Sequence, residues 1–323
     1  MRAQCFLLLI SLSLCACGEK AAAPAASAPA PQVETVDPAS PLGKAQALKA
    51  QGRLEEAVAL LQVPANAPGE DIELHRTYQD LLRGLNRAAE SRTFYESRKR
   101  AQPTSAVAWY LFGRSMILES PTEAEEAFRK ATELDPNLLY AYLGLGTVQS
   151  MRGDAFTAVQ IYERTLEKFP TSSDLYYNLA AMRLEIGALR TAIEAAEKSI
   201  TLAPQNPRAH ELLGLIYKKQ GDIDQAKKSL EKALALDERL PGAHVALAEL
   251  LLGQQDRVGA IAHAKRGKEL GESLPSALAA LFPGGAAAGA PAAGVSAESG
   301  APAAGAPAAG ASGVPAESGA GQK

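Results

Sequence analysis

Cysteine is scarce in this chain: of 323 residues only Cys5, Cys15 and Cys17 carry thiols, all near the amino terminus. No disulfide framework can staple the body of the molecule. Aromatics make up 5% and tryptophan occurs once, which suits stacked helices better than a β-sandwich. A dominant charge is missing as well. Lys and Arg number 33 against 36 Asp and Glu, for a formal net charge of -3, so electrostatics give no reason to expect nucleic acid. The apolar run from Cys5 to Leu14 is too short to cross a bilayer, which takes about 20 residues. Catalytic motifs are lacking too, with no Gly-x-Ser-x-Gly, no His-Glu-x-x-His and no phosphate-binding lysine loop. Gly144-Leu145-Gly146 opens like a dinucleotide-binding turn, but Gln149 stands where a third glycine belongs and no strand precedes it. The expectation is no enzyme, no cofactor, no metal and no small-molecule substrate.

What the chain does have is a period. Ala158, Ala192 and Ala226 lie 34 residues apart, and the series runs back to Ala124 and forward to Ala260. Leu145, Leu179, Leu213 and Leu247 keep the interval, as do Gly153, Gly187 and Gly221, and Pro136, Pro170 and Pro204. A fixed period of this size means a stacked array. Within one period the pattern is helical, and Gly153-Asp154 or Gly221-Asp222 splits it into two segments of about a dozen residues. Each unit is therefore a helical hairpin. Gly146, Ala180, Gly214 and Ala248 on the first helix are expected to face the alanine series on the second. Anything larger there would force the backbones apart, at about 1–3 kcal/mol.

These residues resemble the tetratricopeptide repeat, whose signature runs aromatic, Leu-Gly, Tyr, Ala, aromatic, Ala and Pro. Unit 139–172 supplies Tyr142, Leu145, Gly146, Ala158, Tyr162 and Pro170, with Gln149 and Thr165 departing from the pattern. Unit 173–206 supplies Tyr176, Leu179, Ala180, Ala192 and Pro204. Unit 207–240 supplies Leu213, Gly214, Tyr217, Ala226 and Ala233, with Glu238 where proline is expected. The resemblance implies an all-α, right-handed solenoid of antiparallel hairpins, about six to seven units, with disordered termini.

The pattern extends in both directions. Residues 42–61 read as a first hairpin, after which Pro64 and Pro68 interrupt, and 71–103 as a degenerate unit with Ser91 at the alanine position. Unit 106–138 is one residue out of step, which a deletion in the turn Glu119-Ser120-Pro121 would explain. A hairpin over 241–272 and an amphipathic stretch from Leu274 to Phe282 close the stack. His75, His210 and His244 fall where neighbouring units place Tyr142 and Tyr176, which marks them as packing residues. His263 stands alone.

At the amino terminus Met1-Arg2 and the short apolar run read as a signal peptide. Leu14-Cys15-Ala16-Cys17 resembles the lipobox of bacterial lipoproteins, which implies acylation of Cys17. An ordinary cleaved signal with incidental cysteines is the alternative. Gly18 follows the cysteine in place of the Asp that retains many Gram-negative lipoproteins in the inner membrane, so the resemblance implies the periplasmic face of the outer membrane. The expected domains are a signal peptide over 1–16, an Ala/Pro/Ser-rich tether over 17–41, a solenoid over 42–282 and an Ala/Gly/Pro-rich tail over 283–323.

In the resembling family, partners touch fixed positions of the first helices. Carried onto this chain, these are Tyr110, Arg114, Ile117, Tyr140, Leu143, Thr147, Tyr177, Asn178, Arg208, Leu212 and Leu215. Their character suits an extended peptide or an amphipathic helix laid in a groove. The clamp that binds acidic chaperone tails is matched only by Asn178 and Arg208. The expected function is a lipid-anchored, non-enzymatic scaffold for a protein partner, with parts like those of the pilotin lipoproteins that assist type IV pilus secretins. The alternative is an adaptor that links cell-wall enzymes or peptidoglycan to the membrane.

Overall fold

A computed structural model describes residues 37–66, 69 and 71–282. The signal peptide, Cys17, most of the tether and the tail lie outside the described residues. Fifteen helices and no strand occur among the described residues. Fourteen form seven hairpins: α1 (Pro41–Ala50) with α2 (Leu54–Asn66), α3 (Ile72–Gly84) with α4 (Ala88–Ala101), and α5 (Ala106–Met116) with α6 (Pro121–Leu134). Then come α7 (Leu139–Met151) with α8 (Ala155–Lys168), and α9 (Ser173–Glu185) with α10 (Leu189–Leu202). The last two are α11 (Pro207–Gln220) with α12 (Ile223–Leu236), and α13 (Pro241–Gly253) with α14 (Arg257–Glu269), before the single turn α15 (Ser276–Ala279). Each helix packs on the next in chain order, as in a nearest-neighbour solenoid.

Local chemistry fixes where these helices begin and turn. Ser40, Asp71, Ser105, Ser120, Asp154, Ser172, Asn206, Asp222 and Asp256 each accept a bond from a first-turn amide. Such a cap is typically worth about 1 kcal/mol. Inside six hairpins the turn needs one residue at positive φ. Gly52, Gly153, Gly187 and Gly221 supply it without strain, whereas Asn86 and Gln255 adopt it at φ 58° and 65°. The third hairpin has no such residue; Ser120 N and Glu119 N both bond Met116 O instead. Its shorter turn is the predicted deletion. Pro64, predicted to interrupt, lies inside α2, where at the last turn a missing amide costs only one helical bond.

The helices of a hairpin cross where one side chain is small and the other is sized to match. A Cβ on Gly146 would lie 2.2 Å from the Tyr162 ring, one on Gly113 2.8 Å from Phe128, and one on Gly214 2.7 Å from Leu230. The expected alanine series is met through its backbone, Ala124 O lying 3.1 Å from a Cβ on Gly113 and Ala226 O 3.2 Å from one on Gly214, and the tighter contact is with the side chain four positions later. Ala124, Ala158, Ala192, Ala226 and Ala260 are nonetheless fully buried. Where the fifth and seventh hairpins carry Ala180 and Ala248 instead of glycine, the facing positions are Ala196 and Ala264, also fully buried. At the end of the stack Leu278 is buried with Val245, Ala248 and Ala264, and Leu274, Leu281 and Phe282 pack against that cluster.

The loops between hairpins are held by ring N–H groups from one repeat position. Trp109 donates to Pro103 O at 2.8 Å, His210 to Pro204 O at 3.0 Å and His244 to Glu238 O at 3.0 Å. Because a carbonyl only accepts, Nε2 of both histidines carries the proton. His263 does not stand alone, as expected, but lies with Nδ1 3.0 Å from Nδ1 of His244. The only consistent neutral arrangement has His263 donating. His75 is buried beside Tyr95, at 3.1 Å from its hydroxyl; burial, then the charge of Arg98, pushes its imidazole down to about 4.

Two outcomes follow. Gly146→Ala is expected to destabilise by about 1–3 kcal/mol, and adding Tyr162→Ala, which recreates the fifth hairpin's pair, should recover part of that loss in urea unfolding; strict additivity would contradict the matching. The unfolded chain protonates His75 below about pH 6.5 whereas the folded chain does so only near pH 4, so stability should fall as pH drops across that window. His75→Phe should flatten the fall, and an unchanged profile would contradict the assignment.

Candidate functional site

The odd-numbered helices pack not only on their hairpin partners but on each other, α1 on α3, α3 on α5, α5 on α7, α9 on α11 and α11 on α13. No two even-numbered helices pack to the same extent. Helices crowd on the inner side of a curved stack, so the odd helices form its inner face. Equivalent positions form rows across this face, among them Arg76, Tyr110, Leu143, Tyr177 and Glu211, spaced by 34 residues except for 33 across the short turn.

Over the second to fourth hairpins the face is closed by its own side chains. The Tyr140 hydroxyl on α7 donates to Glu73 on α3 at 2.6 Å, bridging over α5. Arg76 bonds the same carboxylate at 2.7 Å, and its guanidinium carbon lies 4.6 Å from the Tyr140 ring centre. Beneath them the Tyr110 ring stacks on Tyr140 at 5.8 Å, only 4% exposed. Burial, and next the bond to Glu73, drives the Tyr140 phenol well above its ordinary value, and burial raises Tyr110 as well. Alongside, Arg114 donates to Gln79 at 2.8 Å and to Asp80 at 2.6 Å, with Arg83 3.2 Å from the same carboxylate. Gln79 occupies the small-residue position of its hairpin and donates to Leu111 O at 2.7 Å.

Beyond Tyr140 the face is less committed. Tyr177 is half-buried, its phenol raised by burial, with Arg208 and Glu211 as its charged neighbours. Arg208 is exposed, and its guanidinium makes no hydrogen bond among the described residues; Asn178 is half-buried and likewise unpaired through its side chain. Leu240 gives α13 no side-chain cap, and the Glu211 carboxylate takes a backbone bond from Ala243 at that helix start while burial raises its pKa. Gly242 makes the room, since a Cβ there would lie 2.6 Å from Glu211 Oε1.

The structure therefore sorts the predicted residues. Tyr110 and Leu212, 4% and 3% exposed, are buried rather than the surface contacts expected: Tyr140 stacks over Tyr110, and Leu212 packs within the second core cluster. Arg114 and Tyr140 are spent on the internal network, and Ile117, at the end of α5, packs against the first core cluster. Leu143 and Leu215 are half-buried against neighbouring clusters, and Thr147 donates to Leu143 O at 2.8 Å. Tyr177, Asn178 and Arg208 remain as groups a partner could use. Glu73, Arg76, Asp80 and Glu211 were missed, although Arg76, Asp80 and Glu211 sit one repeat from Tyr110, Arg114 and Tyr177, and Glu73 two repeats from Tyr140.

Tetratricopeptide repeat profiles match residues 42–62, 115–138, 140–172, 161–194 and 207–239. The chain carries tetratricopeptide repeats. No curated protein matches the sequence. Among solved structures, a chain of the APC/C hetero-tetramer Cut9–Hcn1 is similar at 18% identity and a TM-score of 0.60, over 76% of this chain and 49% of that one. The repeat chain thus spans about half the length of that relative. PilF of Pseudomonas aeruginosa is similar at 22% identity and a TM-score of 0.51, over 56% of this chain and 82% of that one. Both likenesses concern the fold.

Glu73→Gln removes the charge that faces Tyr140. The Tyr140 phenol, followed by NMR in ring-labelled protein, should then titrate at lower pH than in the parent chain; an unmoved titration would show that the bridge is not formed.

Proposed function

We propose that this repeat array is a lipid-anchored scaffold that captures a polypeptide segment on the odd-helix face of its fourth to seventh hairpins. Proteins built from these repeats bind protein or peptide partners. The observation that carries the reading is the contrast along the face. Its first half spends most of its polar groups on one another, Arg76 Nε excepted, whereas Asn178, Arg208 and the Tyr177 ring present unspent donors and an aromatic surface between half-buried Leu143 and Leu215. A side-chain amide can bond a peptide backbone, and flanking apolar groups can take alternate side chains, as an extended segment or an amphipathic helix would require.

The lipobox-like Leu14-Cys15-Ala16-Cys17 supports acylation of Cys17, and Gly18 supports the periplasmic face of the outer membrane. Each buried CH₂ of an acyl chain contributes about 0.8 kcal/mol, so more than one chain gives stable anchoring. Fixing the array at a membrane raises the local concentration of a captured segment where an envelope complex is built. Lipobox, tether and repeat array are the parts that pilotin lipoproteins combine, which supports assembly of a type IV pilus secretin as the task.

Tyr177→Ala combined with Asn178→Ala should weaken capture of the envelope partner about tenfold or more and leave the far-ultraviolet spectrum unchanged. Undiminished capture would remove this face from the account. Cys17→Ala should move the protein from the membrane to the soluble periplasmic fraction; retention in the membrane would contradict the anchor.

A further inference from the structure

The loop between α12 and α13 is held from two sides. His244 donates to Glu238 O at 3.0 Å, while the Asp237 carboxylate accepts from Arg239 N at 3.0 Å and lies 3.7 Å from Arg239 Nε. The guanidinium so aimed donates through Nη1 to the carbonyl of Ala50 at 3.0 Å, although 189 residues separate the two in sequence. Ala50 ends α1. The three preceding carbonyls, of Ala47, Leu48 and Lys49, accept from Gln51, Gly52 or Arg53 amides, but that of Ala50 takes the arginine. The last carbonyls of a helix lack intrahelical partners and carry its negative pole, so a guanidinium is the fitting donor.

We propose that Arg239 is a latch that closes the first hairpin onto the junction of the sixth and seventh hairpins, and so governs entry to the odd-helix face. The bond joins hairpins that are not neighbours in the stack, a contact that nearest-neighbour packing does not itself provide. With it made, hairpins one to six form a closed circuit with the odd helices inside. A polypeptide then reaches the inner face by threading, or from the side when the latch opens. Both partners are solvent-exposed, and one such bond changes the ratio of closed to open forms by only about tenfold. The array is thereby closed at rest and easily opened, whatever the identity of the partner and whether or not Cys17 is acylated.

The test is a distance measurement by pulsed electron paramagnetic resonance on the full chain with Cys5, Cys15 and Cys17 replaced by serine. Spin labels go on cysteines introduced at Lys44 and Lys232, exposed sites on α1 and α12 away from the latch. With Arg239 present one short, narrow distance should dominate. Arg239→Ala should add a longer population at least as large as the short one, Asp237→Ala should add a smaller one, and Arg239→Lys should keep the closed form in the majority. A distribution unchanged by Arg239→Ala, with helicity intact, would show that hairpin packing alone brings the ends together. A broad, long distance in the parent chain would show that they do not meet. Either result overturns the proposal.

Discussion

The structure depends on the close crossing of two helices inside each hairpin. Neither helix can bury its apolar side alone, and two short helices can hide enough surface only if their backbones nearly touch. In six of the seven hairpins the chain meets this demand by setting a hydrogen or a methyl at the crossing, as with Gly146 against Tyr162, Gly113 against Phe128 and Gly214 against Leu230. Close packing then rejects any added methylene, since interiors are as dense as organic crystals. From this crossing follows the orientation of each hairpin, and from that the row of odd helices along one side.

What the inner face offers is decided by which charges find partners within the array. Glu73 bonds both Arg76 and Tyr140 across α5, and Arg114, Gln79 and Asp80 bond one another beside them. Polar groups bound internally must be released before they can serve a ligand, and that release costs binding free energy. Around Tyr177 the side chains of Asn178 and Arg208 make no hydrogen bond within the array, so a ligand there has none of theirs to break. Thus one face, built from a few repeated positions, divides into a half whose polar groups are largely bound internally and a half in which Asn178 and Arg208 are not.

The fold was largely legible in the sequence because packing imposes the same small and large residues every 34 positions, and the turn imposes its glycines. Legibility failed where a different residue meets the same demand. Asn86 and Gln255 adopt the turn conformation without glycine, and Gln79 fills a small-residue position by reaching across to α5. Pro64 reads as a breaker, yet the end of α2 has few bonds left for it to break. The candidate site was legible only as a set of positions. Whether Tyr110 is surface or core depends on Tyr140 and Arg76 covering it, and whether His263 has a partner depends on α13 and α14 meeting. Such facts arise between units, where a periodic pattern carries no signal.

The central claim is that the array stands through crossings matched hairpin by hairpin, each supporting chiefly its neighbours. Hydrogen exchange resolved by helix, comparing the parent chain with Gly146→Val, tests it most directly. Amide protection should drop in the third to fifth hairpins and remain unchanged in α1, α2, α13 and α14. A uniform loss along all fourteen hairpin helices, or no loss at all, would contradict the account.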